Sequence, residues 1–174
     1  MTDELYVEEI KQTKKAKREF QDYLNYFIFI FPAAITFIGF SMLFGYFKHN
    51  LEIGQLLISF IPISLGLLFG FFTLRRLNEN VTFETFENKK NLSIDDLKTS
   101  IESSFRTNHI YVDKKSELIE VLTKMTGFSW GERITIIKDG NSFLVNSRPS
   151  GTNQPVTICK DRKNIRNIGK ILTG

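Results

Sequence analysis

The sequence predicts a membrane protein: a two-helix transmembrane hairpin followed by a small α+β domain, an antiparallel sheet with two helices on one face. Three observations lead there. Residues 24–47 and 53–74 carry no charged side chain, and each run meets the roughly 20 apolar residues a helix needs to cross a bilayer. Lys and Arg cluster outside this pair and are sparse between its members. After residue 78 the pattern changes to short alternating segments framed by two amphipathic helices.

The spans are set at 24–47 and 51–74, joined by a turn at Lys48, His49 and Asn50. Inside lipid every backbone N–H and C=O must find a partner within the segment, and a helix provides one. Lys11, Lys14, Lys15, Lys17 and Arg18 precede the first span, and Arg75 and Arg76 follow the second. Only Lys48 lies in the turn. The positive-inside rule therefore puts both termini in the cytoplasm, with the protein in the cell inner membrane. No cleavable leader is expected, because the first 23 residues are charged and the first apolar run is too long for one.

Residues 1–23 read as a charged N-terminal helix, acids leading and bases following, which suits a helix dipole. Leu5, Ile10, Ala16 and Phe20 give it a ragged apolar face. The expectation is a solvated helix leading into the first span, with a docking or membrane-surface helix as the alternative.

Within the spans the small and polar residues are ordered. Gln55, Ser59, Pro62, Gly66 and Thr73 share one helical face, as do Pro32, Thr36 and Gly39. With the turn centred on His49, positions whose numbers sum to about 98 oppose each other. That pairs Pro32 with Gly66, Thr36 with Pro62 and Gly39 with Ser59. Small residues facing small residues let two backbones approach, closing the hairpin on itself. An oligomer contact through Gly66 and Gly70, or a pore lining built from several copies, are the alternatives. No charge is buried in either span, which argues against a pump or secondary transporter.

Residues 78–174 form the predicted cytosolic α+β domain. Val81–Glu87 has strand composition. Ser93 with Asp96 reads as a capping box opening a helix on which Ile94, Leu97, Ile101 and Phe105 recur at helical spacing. His109–Val112 and Leu118–Leu122 are strands around the turn DKKSE. Arg133–Lys138 and Ser142–Asn146 flank Asp139-Gly140-Asn141, a hairpin signal. A possible edge strand at Val156–Cys159 precedes a closing helix from Asp161 to Leu172, with Ile165, Ile168 and Leu172 inward.

The residues GFSWGERITI, NSFLVNSRP and KDRKNIRNI resemble a domain of small bacterial two-span membrane proteins of uncharacterised function. In them an SWGE segment and a closing K-x-x-K-N-I helix bracket the last hairpin. The likeness covers roughly residues 80–172. It implies a sheet-plus-helices domain and a bacterial source, and it brings no activity with it. The chain departs at Val156 and Thr157, where the resemblance leads one to expect an aromatic pair.

No catalytic constellation emerges. His49 and His109 fall on opposite sides of the membrane in this topology, and Cys159 has no second thiol. A zinc site needs three or four well-spaced ligands. Neither a GxxxxGK[ST] nor a GxSxG motif is present. The expectation is a protein that is not an enzyme and needs no cofactor or metal. Basic residues in the domain are the candidates for binding: Arg133, Arg148, Lys160, Arg162, Lys163 and Arg166, with Trp130 to stack or rim a pocket. Arg162, Arg166 and Lys170 fall in one helical row. Arg supplies a planar fork and Lys a point charge for phosphate.

The expected partners are the lipid bilayer, a small anionic ligand such as a nucleotide or lipid headgroup, and further copies of the chain. Long nucleic acid is not expected, given the modest positive charge. The leading functional expectation is a sensor or effector in which ligand binding is passed to the spans, a nucleotide-activated defence effector being one version. A structural accessory subunit or scaffold of a larger membrane complex is the alternative.

Overall fold

The computed structural model describes residues 3–18, 20–49, 53–125, 131–150 and 160–174. Two compact units divide the chain. One is Phe20–Asn78. The other joins Met1–Glu19 to Glu79–Gly174, so the polar domain is assembled from both flanks of the apolar hairpin.

The hairpin unit begins with a short helix, α2 (Phe20–Leu24), and one 3-10 stretch, Asn25–Phe29. Helix α3 (Ile30–His49) and the long helix α4 (Ile53–Glu79) follow. The first run is thus not one continuous α-helix from residue 24. Regular α geometry starts at Ile30, placing Pro32, which has no N–H to donate, in the first turn after the 3-10 stretch. The apolar stretches Asp22–His49 and Ile53–Glu79 are long and apolar enough to cross a membrane. Within the chain 11% and 22% of their most apolar windows are buried. Their outer surface is aromatic, with Phe31, Phe37 and Phe44 largely exposed.

The two long helices meet through the small residues the sequence singled out. A Cβ added at Gly66 would lie 2.8 Å from both the Pro32 carbonyl and the Thr36 nitrogen, and would also strike Thr36 Oγ1. One added at Gly39 would lie 2.8 Å from the Ile63 nitrogen and 3.0 Å from the Ser59 carbonyl. Glycine at both positions is what permits backbone-to-backbone approach. The opposition of Pro32 with Gly66 and of Gly39 with Ser59 is as expected, with Thr36 sharing the Gly66 contact. The hydroxyls stay inside their own helices: Thr36 donates to the Pro32 carbonyl at 2.8 Å and Ser59 to the Leu56 carbonyl at 2.6 Å.

The polar domain is an antiparallel five-stranded sheet in the order β1-β5-β4-β3-β2. Its strands are β1 (Glu84–Glu87), β2 (Thr107–Asp113), β3 (Leu118–Thr123), β4 (Glu132–Asp139) and β5 (Ser142–Pro149). Helix α5 (Ile94–Ser104) carries the chain from one edge of the sheet to the other, and the remaining strands return as a meander that lays β5 beside β1. The Ser93 hydroxyl accepts from the Asp96 N–H, and the Asp96 carboxylate accepts from Ser93, completing the capping box. These hydrogen bonds hold the Asp96 carboxyl below its ordinary pKa. Gly140, at positive φ, sits in the two-residue turn between Asp139 and Ser142. The chain closes with α6 (Lys160–Thr173). The expected strand at Val156–Cys159 lies outside the described residues.

One face of the sheet has the predicted packing. Leu97 and Ile101 of α5 and Ile165, Ile168 and Leu172 of α6 cover Ile119, Val121, Ile134, Ile136, Phe143 and Val145. The opposite face differs from expectation. Helix α1 (Asp3–Thr13) is not solvated all round: its Val7 and Ile10 are 2% and 0% exposed and pack on Leu118, Ile137 and Leu144. Of the expected apolar face, Ile10 and Ala16 are buried, whereas Leu5 and Phe20 are exposed. Ion pairs hold α1 at both ends, Glu4 with Lys115 at 2.7 Å in the β2–β3 turn and Lys14 with Asp139 at 2.7 Å in the β4–β5 turn. Glu4 accordingly raises the Lys115 pKa. The sheet therefore carries helices on both faces rather than one.

Candidate functional site

Beyond α1 the chain runs extended and pairs with the segment that follows α4. Ala16 donates to the Val81 carbonyl at 2.8 Å, Phe83 donates to the Lys14 carbonyl at 2.9 Å, and Lys15 and Thr82 form an antiparallel bridge. The two segments continuous with the ends of the hairpin are thus stitched together inside the polar domain.

The end of α4 is held by side chains from two further elements. Asn146 occupies an alternating position on β5, between Leu144 and Arg148, where the pattern calls for a core residue. Its amide nitrogen, in a side chain almost wholly buried, donates to the Thr82 carbonyl at 2.7 Å and the Asn80 carbonyl at 3.1 Å, and lies 3.5 Å from that of Glu79. From α6, Arg162 Nη2 donates to both Glu79 carboxylate oxygens, at 2.7 and 2.8 Å. Both partners of this pair are partly exposed. A neutral amide bound to carbonyls and a guanidinium bound to a carboxylate thus hold residues 79–82, the segment that leads from α4 into the sheet domain. Arg162 was expected from sequence as an anion ligand, but neither its pairing with Glu79 nor the role of Asn146 was singled out. The partners lie more than sixty residues apart, and the one local signal was a polar residue at an inward strand position.

The seven sequence-derived site residues are divided between locations. Arg133 on β4 and Arg148 on β5 stand directly opposite each other in register, both half-buried. Strand alternation puts them on the face of Ile137 and Leu144, the face that α1 shares. Arg162, Lys163 and Arg166 lie on α6, which packs on the opposite face. Arg162 is engaged by Glu79, whereas Lys163 and Arg166 are exposed and, with exposed Lys170, follow a spacing of three and four that makes one stripe. Lys160 is the first residue of α6. Trp130 lies outside the described residues. The structure therefore groups the two strand arginines and, separately, the α6 cations; it does not gather all of them on one face.

At the same end of the sheet, on the α6 side, sit polar groups that sequence reading passed over. Glu132, Ser147, Asp161 and Asn164 are all buried. Asn164 donates to the Ser147 hydroxyl at 3.3 Å, and the Glu132 N–H donates to the Thr123 hydroxyl at 2.8 Å. Among the described residues no group of three or more His, Cys, Asp or Glu side chains is placed to hold a metal ion.

No family model, no curated protein and no solved structure matches this chain. Chemically the arrangement offers cations on an exposed helix face and a carboxylate that pairs with Arg162 beside them. Anion recognition is within its reach.

Proposed function

We propose that this chain is an integral protein of a bacterial inner membrane, crossing it twice, whose cytosolic domain binds an anionic ligand and passes the bound state to the spans. The hold on the end of α4 carries this reading. Asn146 from β5 and Arg162 from α6 grasp the turn in which the second apolar helix ends, and the candidate anion-binding residues Arg148, Lys163 and Arg166 sit on those same two elements. A shift of α6 or β5 on binding would therefore act on α4 without a flexible linker to absorb it.

Membrane insertion is supported by the apolar helices themselves. So large an exposed aromatic surface demands a covering, and lipid provides one. The hydrogen bonds between residues 14–16 and 81–83 support a topology with both ends of the hairpin on one side of the bilayer, as does the excess of Lys and Arg flanking it. Further copies of the chain belong to the proposal through the exposed hairpin surface.

The test is a thermal shift of the full chain in lipid nanodiscs against nucleotides and inositol phosphates. The expected result is stabilisation by a phosphorylated ligand that is lost in Lys163→Ala/Arg166→Ala. A melting temperature unmoved by every such ligand contradicts the reading.

One observation favours a second reading, a structural accessory subunit. The hairpin unit carries an apolar groove of about 560 Å³ bordered by Pro32, Ala33, Phe37, Gly70 and Phe71, shaped to admit a side chain from a neighbouring helix. Co-purification of a partner membrane protein that Ala33→Phe abolishes would favour it.

A further inference from the structure

The Glu79–Arg162 pair deserves a role beyond stability, since its geometry leaves it half made. A single guanidinium nitrogen, Nη2, serves both carboxylate oxygens, while Nε and Nη1 make no hydrogen bond among the described residues. The pair is partly open to solvent, so an ion in the surrounding water can reach it. Lys163 immediately follows Arg162, and Arg166 lies one turn further along α6, both exposed.

We propose that Glu79 is a built-in competitor for the anion-binding face of α6, and that a phosphate-class anion is sensed by taking Arg162 from it. This rests on the anion-binding reading above and adds its regulation. In the structure Glu79 supplies one negative charge to Arg162. A phosphate group brings more charge, fits the planar guanidinium in two-point fashion, and draws on Lys163 and Arg166 at the same time. Once Arg162 turns to the phosphate, Glu79 loses this contact with α6, while Asn146 still donates to the Asn80 and Thr82 carbonyls. Because coupling is reciprocal, whatever factor Glu79 costs the anion is the factor by which the anion loosens Glu79. A partly exposed ion pair limits that factor to roughly two- to five-fold, a modest bias that many copies in one assembly would multiply.

The experiment uses the full chain in nanodiscs with inorganic pyrophosphate as the probe, titrated calorimetrically at constant ionic strength. Glu79→Gln removes the competitor and is expected to tighten pyrophosphate binding by roughly two- to five-fold. In an Arg162→Ala background the same substitution is expected to change nothing. A merely structural role for the pair predicts the reverse sign, since loosening the fold weakens binding. Glu79→Ala serves as a second variant with the same expected gain. Discs of phosphatidylcholine alone and of phosphatidylcholine with phosphatidylserine separate the sources of phosphate. A gain that vanishes in the anionic discs assigns the site to lipid headgroups, and one that persists assigns it to a soluble ligand; either supports the competition. Equal affinities for wild type and Glu79→Gln overturn the competition and leave anion binding standing. Absence of pyrophosphate binding in wild type and variant alike overturns the anion-binding reading itself.

Discussion

Deleting the first nineteen residues should unfold a domain that begins sixty residues later. Helix α1 contributes Val7 and Ile10, essentially fully buried, to the cluster with Leu118, Ile137 and Leu144. Burying side chains of this size is worth about 1.5–3 kcal/mol each. The pair contributes about 2–5 kcal/mol once the partial burial already present in an unfolded chain is discounted. Its two terminal ion pairs are exposed enough to add little. Against a total of about 5–15 kcal/mol for a small domain, this loss is large. The assay compares residues 79–174 alone with a chimera in which residues 1–19 are joined to them by a short Gly/Ser linker. Such a linker can close because Ala16 and Val81 are already hydrogen-bonded. Urea unfolding followed by far-ultraviolet circular dichroism should place the midpoint of the shorter fragment about 1–3 M lower, or show it unfolded without urea. Equal midpoints would refute the claim that α1 is part of this domain's core.

Other expectations follow from individual residues. Gly66→Ala should destabilise the hairpin by about 1–3 kcal/mol, because its new methyl group meets backbone that cannot yield. Gly45→Ala, with nothing within 4 Å, should be neutral or stabilising when both are unfolded in detergent. Asn146→Leu should cost about 1–3 kcal/mol by removing the hydrogen bonds that its buried amide donates to the Asn80 and Thr82 carbonyls, read from the same urea curves on the chimera. Acid should destabilise the polar domain before its core is touched. Hydrogen bonds from Ser93 hold the Asp96 carboxyl low, as those from Ser116 and Lys115 do for Asp113. Protonation therefore favours the unfolded chain, where these groups titrate near pH 4. Stability from both should be fully present above about pH 5 and lost as pH falls below about 4. Ser93→Ala should shrink that loss in an acid titration of the chimera.

What the sequence disclosed and what it concealed divide along a physical line. The Asp139-Gly140-Asn141 turn, the Ser93–Asp96 cap and the facing glycines of the hairpin are local or nearly so, and each is where it was expected. The apolar face expected for residues 1–23 holds at Ile10 and Ala16, but Val7, which it left out, is buried beside them while Leu5 and Phe20 are exposed. Only the sheet that it covers distinguishes the two sets. The basic candidates were legible as residue types but not as a group. Strand alternation separates Arg133 and Arg148 from the α6 cations, and the partner of Arg162 lies 83 positions away. Asn146 did leave a trace, a polar side chain at an inward position of β5.

The most direct test of the account is labelling from either side of the membrane. In a Cys159→Ser background, single cysteines are introduced by Lys48→Cys, in the last turn of α3, and by Lys163→Cys, on α6, and sealed vesicles of each orientation are treated with a membrane-impermeant thiol reagent. The account expects the cysteine at position 163 to react only in inside-out vesicles and that at position 48 only in right-side-out ones. Reaction of both from the same face, or loss of the protein from the vesicles under alkaline carbonate, would contradict it.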